Sequence, residues 1–377
     1  MIPLNSRLLD LNRSGIRKYT NLAKSVPDCV MLTIGEPDFA TPQEIKAAAL
    51  TALFADRTHY APNQGVEQLR QEIAAYETIR GMDCQPEQIL VTAGATGALF
   101  TALLGILNPG EEVIVPTPAF PLYESIIAIA GGVCVPLDLK KTDFQITPEA
   151  LASVMTPKTK AIILNSPHNP TGTVLNERSL AAVKDAVLSK PIFVICDNVY
   201  QRLSHGAPDL STDEALKEQL LLCQSFSKPY AMTGWRVGYL IGPEAVMERL
   251  LLLHAAEVAS IPTFLQDACI TALSTSPKEM ADTYARRREI VCTRLAQMGL
   301  PFPAPEGAFY AFPDISAYGL SDEEFCTRMI TEAKVAAVPG SCFGCPGHIR
   351  ISYCCSNEQL QTGLDRMEQF LQTLKKA

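Results

Sequence analysis

The sequence predicts an α/β fold in which helices cover a mostly parallel sheet, with a smaller second domain beside the first. At 377 residues and 41.0 kDa, the chain is too long for one ordinary hydrophobic core. In its middle part, short β-branched runs alternate with longer helical patterns, as in strands joined by helical crossovers. Because this alternation stops near residue 276, we expect a large domain at 40–276 and a small domain formed by 1–39 and 277–377.

The elements follow from short apolar runs and the turn residues between them. The runs predicted as strands are 89–92, 112–115, 160–164, 192–196, 220–223 and 237–241. A helix is predicted at 96–107, because Asn108-Pro109-Gly110 ends its apolar pattern. Beyond the sheet, the pattern predicts a long charged helix at 278–298 and a terminal helix at 357–375.

Composition indicates a folded protein that binds a small molecule. Hydrophobic residues make up 47% of the chain and charged residues 19%, which argues against disorder. There are 32 basic and 40 acidic residues, so the net charge is −8 and no basic block is present. Such a chain is a poor candidate for binding nucleic acid or an anionic membrane. No apolar run reaches the roughly 18 residues that a membrane span needs.

The N-terminus and the cysteines favour a cytoplasmic location. The first 22 residues mix charges with apolar side chains and lack the apolar core of a signal peptide. The twelve cysteines are scattered, several of them within apolar segments, as expected for reduced core residues rather than a disulfide framework.

Residues capable of chemistry follow five of the predicted strands. In chain order they are the turn Gly94-Ala95-Thr96, then Phe120, Asn169, Asp197 with Tyr200, and Lys228. Because the carboxyl ends of parallel strands meet at one edge of a sheet, we expect these residues to share one crevice.

Taken singly, these residues have ordinary explanations. The Gly94–Thr96 turn could be a helix N-cap, Asp197 could cap a turn, and Lys228 could be a solvated surface group. Together they match pyridoxal phosphate, which needs a lysine to bond it, an acid at its ring nitrogen, donors to its ring oxygen, an aromatic neighbour and a phosphate site. The chain has no G-x-G-x-x-G or Walker pattern, which disfavours a dinucleotide or a nucleoside triphosphate.

Residues 225–239, SFSKPYAMTGWRVGY, closely resemble the lysine signature of the class I aminotransferases, which are fold-type I pyridoxal phosphate enzymes. The supporting strings are IGEPDF at 34–39, YAPNQG at 60–65, NPTG at 169–172, PGS at 339–341 and IRISY at 349–353. The chain looks most similar to the bacterial aspartate and aromatic branch, including aminotransferase A and N-acetyl-diaminopimelate aminotransferase. The resemblance implies a mostly parallel seven-stranded sheet flanked by helices, plus a smaller α+β domain.

The resemblance also assigns the cofactor site. Lys228 matches the lysine that bonds pyridoxal 5′-phosphate, and Asp197 matches the partner of the ring nitrogen. Asn169 and Tyr200 match the residues that contact the ring oxygen, and Phe120 matches the stacking aromatic residue. The phosphate-binding group corresponds to Gly94, Ala95, Thr96, Ser225 and Arg236.

The resemblance further implies a homodimer with shared active sites, because Tyr60 matches a tyrosine that reaches the phosphate from the neighbouring subunit. Arg350 matches the arginine that holds the substrate α-carboxylate, with Gly35 and Asn169 beside it. Lys228, Asp197 and Tyr200 are then the catalytic residues. The implied reaction is a ping-pong transfer of an amino group from an aspartate-, aromatic- or diaminopimelate-type L-amino acid to 2-oxoglutarate.

Two other functions and a metal site compete with this interpretation. Another enzyme of the same fold, such as a carbon–sulfur β-lyase, would keep the cofactor site, and a non-catalytic regulator could keep its pocket. Cys342, Cys345 and His348 could suggest zinc, but their segment matches the PGS turn that leads to Arg350. We therefore expect no metal site.

Overall fold

A computed structural model describes residues 5–8, 11, 15–204 and 206–374. Its α-helices are α1 Gly15–Lys24, α2 Gln43–Phe54, α3 Glu67–Ile79, α4 Gly94–Ile106, α5 Leu122–Ala130, α6 Pro148–Val154, α7 Glu177–Leu188, α8 Glu244–Val258, α9 Thr263–Ser274, α10 Lys278–Gln297, α11 Asp322–Ala333 and α12 Asn357–Thr373. Its strands are β1 Val30–Met31, β2 Ile89–Thr92, β3 Glu112–Thr117, β4 Val133–Asp138, β5 Thr159–Asn165, β6 Phe193–Asp197, β7 Leu220–Ser225, β8 Gly238–Ile241, β9 Tyr310–Ala311, β10 Val335–Ala336, β11 Val338–Pro339 and β12 Ile349–Ser352.

The main sheet has seven strands in the order β2-β8-β7-β6-β5-β3-β4. Strand β8 is antiparallel to both neighbours, and the other six strands run in one direction. The predicted α/β fold with a mostly parallel sheet is confirmed. The sequence pattern indicated six of these strands and missed β4, which lies at the sheet edge, contains Pro136 and begins with the exposed Val133.

Both faces of the sheet are buried. Strand β5 shows this, because Ile162 and Leu164 belong to the apolar cluster on one face while Ala161 and Ile163 belong to the cluster on the other. Successive side chains of a strand point to opposite faces, so a strand buried on both faces is apolar throughout. This explains why the strands appear in the sequence as continuous apolar runs rather than as an alternating pattern.

The C-terminal part forms a second apolar cluster around two small sheets. One sheet has the order β11-β12-β9, and the other pairs β1 in parallel with β10. The pairing of Val30 with Val335 therefore joins the N-terminal segment to the C-terminal part. Arg287 on α10 adds a bidentate ion pair with Asp38, with nitrogen–oxygen distances of 2.7 and 2.8 Å.

The predicted helices are present with small shifts at their ends. Helix α4 begins at Gly94, two residues before the predicted start, and α10 ends one residue before the predicted end. The last predicted residue of the terminal helix, 375, lies outside the described residues. None of the helices in the described ranges is long and apolar enough to cross a membrane.

Candidate active site

A cavity of about 270 Å³ opens at the carboxyl ends of the parallel strands, between the large sheet and the C-terminal cluster. Most of the site residues predicted from the sequence line it: Gly35, Ala95, Thr96, Phe120, Asn169, Asp197, Tyr200, Ser225, Lys228, Arg236 and Arg350. The parallel strand order produces this meeting, because residues distant in sequence follow strands that end at the same edge.

Asp197 is the last residue of β6 and is only 5% exposed. Its Oδ2 accepts a hydrogen bond of 2.5 Å from the hydroxyl of Tyr123, whereas its Oδ1 has no partner among the described residues. Burial raises the pKa of this carboxyl to about 6, against the opposing effects of the Tyr123 hydrogen bond, the nearby backbone N–H of Val199 and the Lys228 charge. A buried carboxylate oxygen with no donor is an energetically costly arrangement that a cationic ligand would relieve.

Lys228 follows β7 and lies partly buried at the cavity. Its ammonium donates a hydrogen bond of 2.5 Å to the carbonyl oxygen of Gly35. Removal from water lowers the pKa of Lys228 to about 8, and the nearby Arg350 and Arg236 charges act in the same direction. An amine with a lowered pKa is more often neutral, which is the form that can act as a nucleophile or a base.

Arg350 on β12 is buried, and its guanidinium has no carboxylate partner among the described residues. It donates to the side-chain oxygen of Asn169 at 2.9 Å and to the carbonyl of Thr33 at 2.7 Å. The rings of Tyr310 and Phe343 both lie near it, with centroids 4.5 and 4.8 Å from its central carbon. Its Nε has no partner within the described residues. A planar donor group held in this way is suited to a carboxylate ligand.

The start of α4 combines a helix N-terminus with the guanidinium of Arg236. Gly94 has a φ of 69°, and a Cβ at this position would lie 2.7 Å from an Nη of Arg236. The guanidinium therefore packs directly against the first turn of the helix, whose free N–H groups already favour an anion. The Ser225 hydroxyl lies 2.9 Å from that of Ser227, and both serines line the same cavity.

Comparisons with known proteins agree with this geometry. Residues 27–367 match the sequence model of a family described as aminotransferase class I and II.

The chain belongs to this family.

Among its relatives, the probable N-acetyl-LL-diaminopimelate aminotransferase of Bacillus subtilis is 36% identical, with 98% of this chain and 95% of that protein covered. The aspartate aminotransferase of Pyrococcus abyssi is 39% identical, with 99% of each chain covered.

Solved structures show the same fold. The aspartate aminotransferase from Thermotoga maritima superimposes with a TM-score of 0.94 at 35% identity, covering 98% of this chain and all of that one. The aromatic aminotransferase from Pyrococcus horikoshii gives 0.89 at 38% identity, covering 94% and 98%. The predicted family, its fold class and its enzymatic nature as an aminotransferase are therefore confirmed, and the lyase alternative is not favoured.

Two predicted residues of the aminotransferase do not line the cavity. Gly94, in the first turn of α4, instead leaves room for the Arg236 guanidinium because it has no side chain. Tyr60 is 91% exposed, and the cavity of its own chain does not include it. Its role across a subunit boundary stays a prediction.

The structure adds two tyrosines that the sequence pattern did not identify. Tyr123 donates to Asp197, and Tyr310 lies between Arg350 and the hydroxyl of Tyr200, 3.0 Å from the latter. Tyr123 gave a weak signal, since it lies three residues after Phe120 in the first turn of α5. Tyr310 gave none, because its neighbour Phe309 and the rest of its segment look like an ordinary apolar core.

Cys345 and His348, two of the residues that could have suggested zinc, lie close together in the structure. The sulfur of Cys345 lies 3.6 Å from Nδ1 of His348, whose ring stacks on Phe312. Among the described residues, no three histidine, cysteine, aspartate or glutamate side chains are grouped so that they could hold a metal ion.

We expect Tyr123→Phe to raise the pKa of Asp197 further. In the cofactor-free protein, this carboxyl releases its proton at higher pH when folded than when unfolded, so its contribution to stability falls as pH rises from about 4 to about 6. Without the Tyr123 hydroxyl this fall extends to higher pH. Urea unfolding should therefore show a greater loss of stability near pH 8 than near pH 5, by about 1 kcal/mol.

The control for this effect is the same substitution in an Asp197→Asn background, where no carboxylate remains to titrate. There the loss should be equal at both pH values. An equal loss in the otherwise unaltered chain would contradict the coupling between Tyr123 and Asp197.

Proposed function

We propose that this aminotransferase uses pyridoxal 5′-phosphate to transfer an α-amino group from an L-amino acid to 2-oxoglutarate. The observation that carries the proposal is the meeting of three unlike groups at one cavity. These are the buried Asp197 with an oxygen that lacks a donor, the Lys228 amine with its lowered pKa, and the Arg236 guanidinium at the start of α4. A turn cap, a surface lysine and a helix cap would each explain one of these groups, but not why all three face the same cavity.

The chemistry of the cavity residues fits this cofactor. The free Oδ1 of Asp197 would accept the N–H of a protonated pyridine ring, which supplies the cation that the buried carboxylate lacks. The helix start, Arg236 and Ser225 would hold the phosphate, and Phe120 would pack on the ring. When bound, the cofactor supplies a ring that withdraws the negative charge left at the substrate Cα after its proton departs.

The chain itself binds the substrate and moves its proton. Arg350 would hold the α-carboxylate, since its Nε is free and its other nitrogens are already fixed by Asn169 and the Thr33 carbonyl. A carboxylate held by a planar guanidinium orients the Cα–H bond. Lys228 Nζ would take the proton from the substrate Cα as a general base and then, as a general acid, give it to the cofactor. With a pKa of about 8, roughly a tenth of this amine is neutral at neutral pH.

Tyr200 would complete the cofactor site. Its hydroxyl is buried among the cavity residues, and burial holds its pKa well above the usual range. It therefore stays protonated and can donate to the ring oxygen, beside Asn169.

The amino donor that we propose is an aspartate-, aromatic- or diaminopimelate-type amino acid. The support comes from the relatives, which include proteins named as aspartate, aromatic-amino-acid and N-acetyl-LL-diaminopimelate aminotransferases. All of these donors share the α-carboxylate that Arg350 would bind, so the donors differ only beyond Cβ.

We further propose a homodimer in which Tyr60 of each subunit serves the other subunit's cavity. An almost fully exposed tyrosine is unusual for a single chain, and Phe54, at the end of the preceding helix, is 87% exposed. Covering these side chains in a dimer would remove both from water.

The proposed domain division is 40–276 for the large domain, with 1–39 and 277–377 forming the small one. Its support is the pairing of β1 with β10 and the ion pair of Asp38 with Arg287, both of which tie the N-terminal segment to the C-terminal part. A cytoplasmic location is proposed because all twelve cysteines are free thiols, as in a reducing compartment.

The test of the proposed function is a half-reaction with purified protein loaded with the cofactor. Single amino acids from the proposed classes should convert the absorbance of the bound cofactor to that of its aminated form. Addition of 2-oxoglutarate should then restore the original absorbance. Lys228→Ala should abolish both the conversion and turnover, because no amine remains to bond the cofactor or move the proton. An unaltered protein that stays colourless with the cofactor, or a Lys228→Ala variant with substantial turnover, would refute the proposal.

Arg350→Ala should weaken binding of both the amino acid and the oxo acid, by about 2 to 5 kcal/mol, because it removes the buried charge that meets their carboxylates. The measurement is KM for each substrate. Arg178→Ala serves as the matched control, since Arg178 is exposed at the start of α7. Equal KM values in the two variants would contradict the assigned role.

Mixed dimers test the shared site. A subunit with Lys228→Ala paired with a subunit with Tyr60→Ala contains one site with both residues intact, so it should recover about half of the normal activity. Pairing Lys228→Ala with Asp197→Ala should recover none, because both residues belong to the same chain's cavity. Absence of recovery in the first pair would show that Tyr60 does not act across subunits.

A further inference from the structure

Tyr310 contacts three parts of the site from a strand whose sequence resembles ordinary apolar core. It lies on β9 opposite Ser352 of β12, so it shares a face with Arg350, two residues before Ser352. Its side chain is 1% exposed and lines the cavity. A buried tyrosine needs a partner for its hydroxyl, so the direction of that hydroxyl is informative.

The ring of Tyr310 packs against the guanidinium of Arg350. Its centroid is 4.5 Å from the guanidinium carbon, and the centroid of the Phe343 ring is 4.8 Å from the same carbon. Among the described residues, no carboxylate neutralises this buried cation. The electron-rich faces of the two rings therefore stabilise this cation together with the oxygens of Asn169 and Thr33.

The hydroxyl of Tyr310 reaches the opposite part of the cavity. It lies 3.0 Å from the hydroxyl of Tyr200, and a Cβ placed on Gly35 would lie 1.9 Å from it. Gly35 is also the residue whose carbonyl accepts the Lys228 ammonium. A side chain at position 35 would displace the Tyr310 hydroxyl. The contact between the Tyr310 and Tyr200 hydroxyls therefore requires glycine at this position.

Each of the two tyrosines has one hydroxyl proton, and this sets the direction of the hydrogen bond between them. Tyr200 has one hydroxyl proton, and the proposed function uses it toward the ring oxygen of the cofactor. Tyr200 can then only accept from Tyr310, whose pKa burial raises to about 12, so that it too keeps its proton. A donor to Tyr200 makes Tyr200 itself a stronger donor, because hydrogen bonds in a chain polarise one another.

We infer that Tyr310 is a positioning residue that links the two halves of the site, through its hydroxyl to Tyr200 and through its ring to Arg350. The inference rests on the proposed function and adds to it a single side chain that supports both cofactor chemistry and substrate binding. The two contacts use different parts of the side chain, so they can be separated by substitution.

Tyr310→Phe removes the hydroxyl and keeps the ring. In the holoenzyme, kcat should fall about tenfold while KM for the amino acid and the oxo acid stays within about twofold. The absorbance titration of the bound cofactor should shift to higher pH, because a weaker Tyr200 donor favours the ionised ring oxygen less. The same substitution in a Tyr200→Phe background should have no further effect.

Tyr310→Leu removes the ring as well. KM for both substrates should then rise about tenfold above the Tyr310→Phe value, because Arg350 loses the aromatic face that holds it. Tyr310→Met, which fills a similar volume, takes its place if the leucine variant does not fold.

Tyr353→Phe is the matched control, since the hydroxyl of Tyr353 is buried in the same apolar cluster and has no partner among the described residues. It should leave the titration, kcat and KM unchanged.

The hydroxyl role is overturned if Tyr310→Phe behaves like this control, or if its effect persists in the Tyr200→Phe background. The ring role is overturned if Tyr310→Leu or Tyr310→Met has the KM of Tyr310→Phe. Failure of the unaltered protein to bind the cofactor would instead refute the proposed function.

Discussion

The carboxylate of Asp197 is removed from water at the end of a central strand, with a donor on one oxygen and none among the described residues on the other. A charge placed in this way costs free energy unless a cation meets it. Neighbouring side chains reduce this cost in part. Tyr123 satisfies one oxygen, and Asn165 holds the strand end by donating to the Asp197 backbone carbonyl at 2.8 Å. The cavity then leaves the second oxygen available to a ligand.

The two arginines that line the cavity come from elements other than the strand that carries this carboxylate. Arg350 comes from the small sheet of the C-terminal cluster, and Arg236 lies against the start of α4. Neither forms an ion pair with Asp197 in the described residues, so each retains donor capacity. The two apolar clusters therefore do more than bury apolar surface, because they also bring charged side chains from distant segments to one cavity.

Much of the fold could be predicted from local pattern. Apolar runs indicated six strands because a strand buried on both faces is apolar throughout, as at Ile162 and Ile163. The edge strand β4 was missed because Pro136 and an exposed Val133 break that pattern. Of the candidate site, the residues that follow strands were predictable, since the topology of a parallel sheet brings strand ends together. Tyr123 and Tyr310 were not, because their roles depend on which side chain meets them.

The amino-acid sequence by itself determined the fold class, the family and the residues that follow five of the strands, because these follow from periodicity and from contiguous motifs such as the one around Lys228. Only the tertiary structure decided which of those residues keep a free polar atom, and which aromatic rings support them. The physical reason is that hydrogen-bond satisfaction and burial are properties of atoms brought together from distant segments. Tyr310 and Arg350 become neighbours only when β9 pairs with β12.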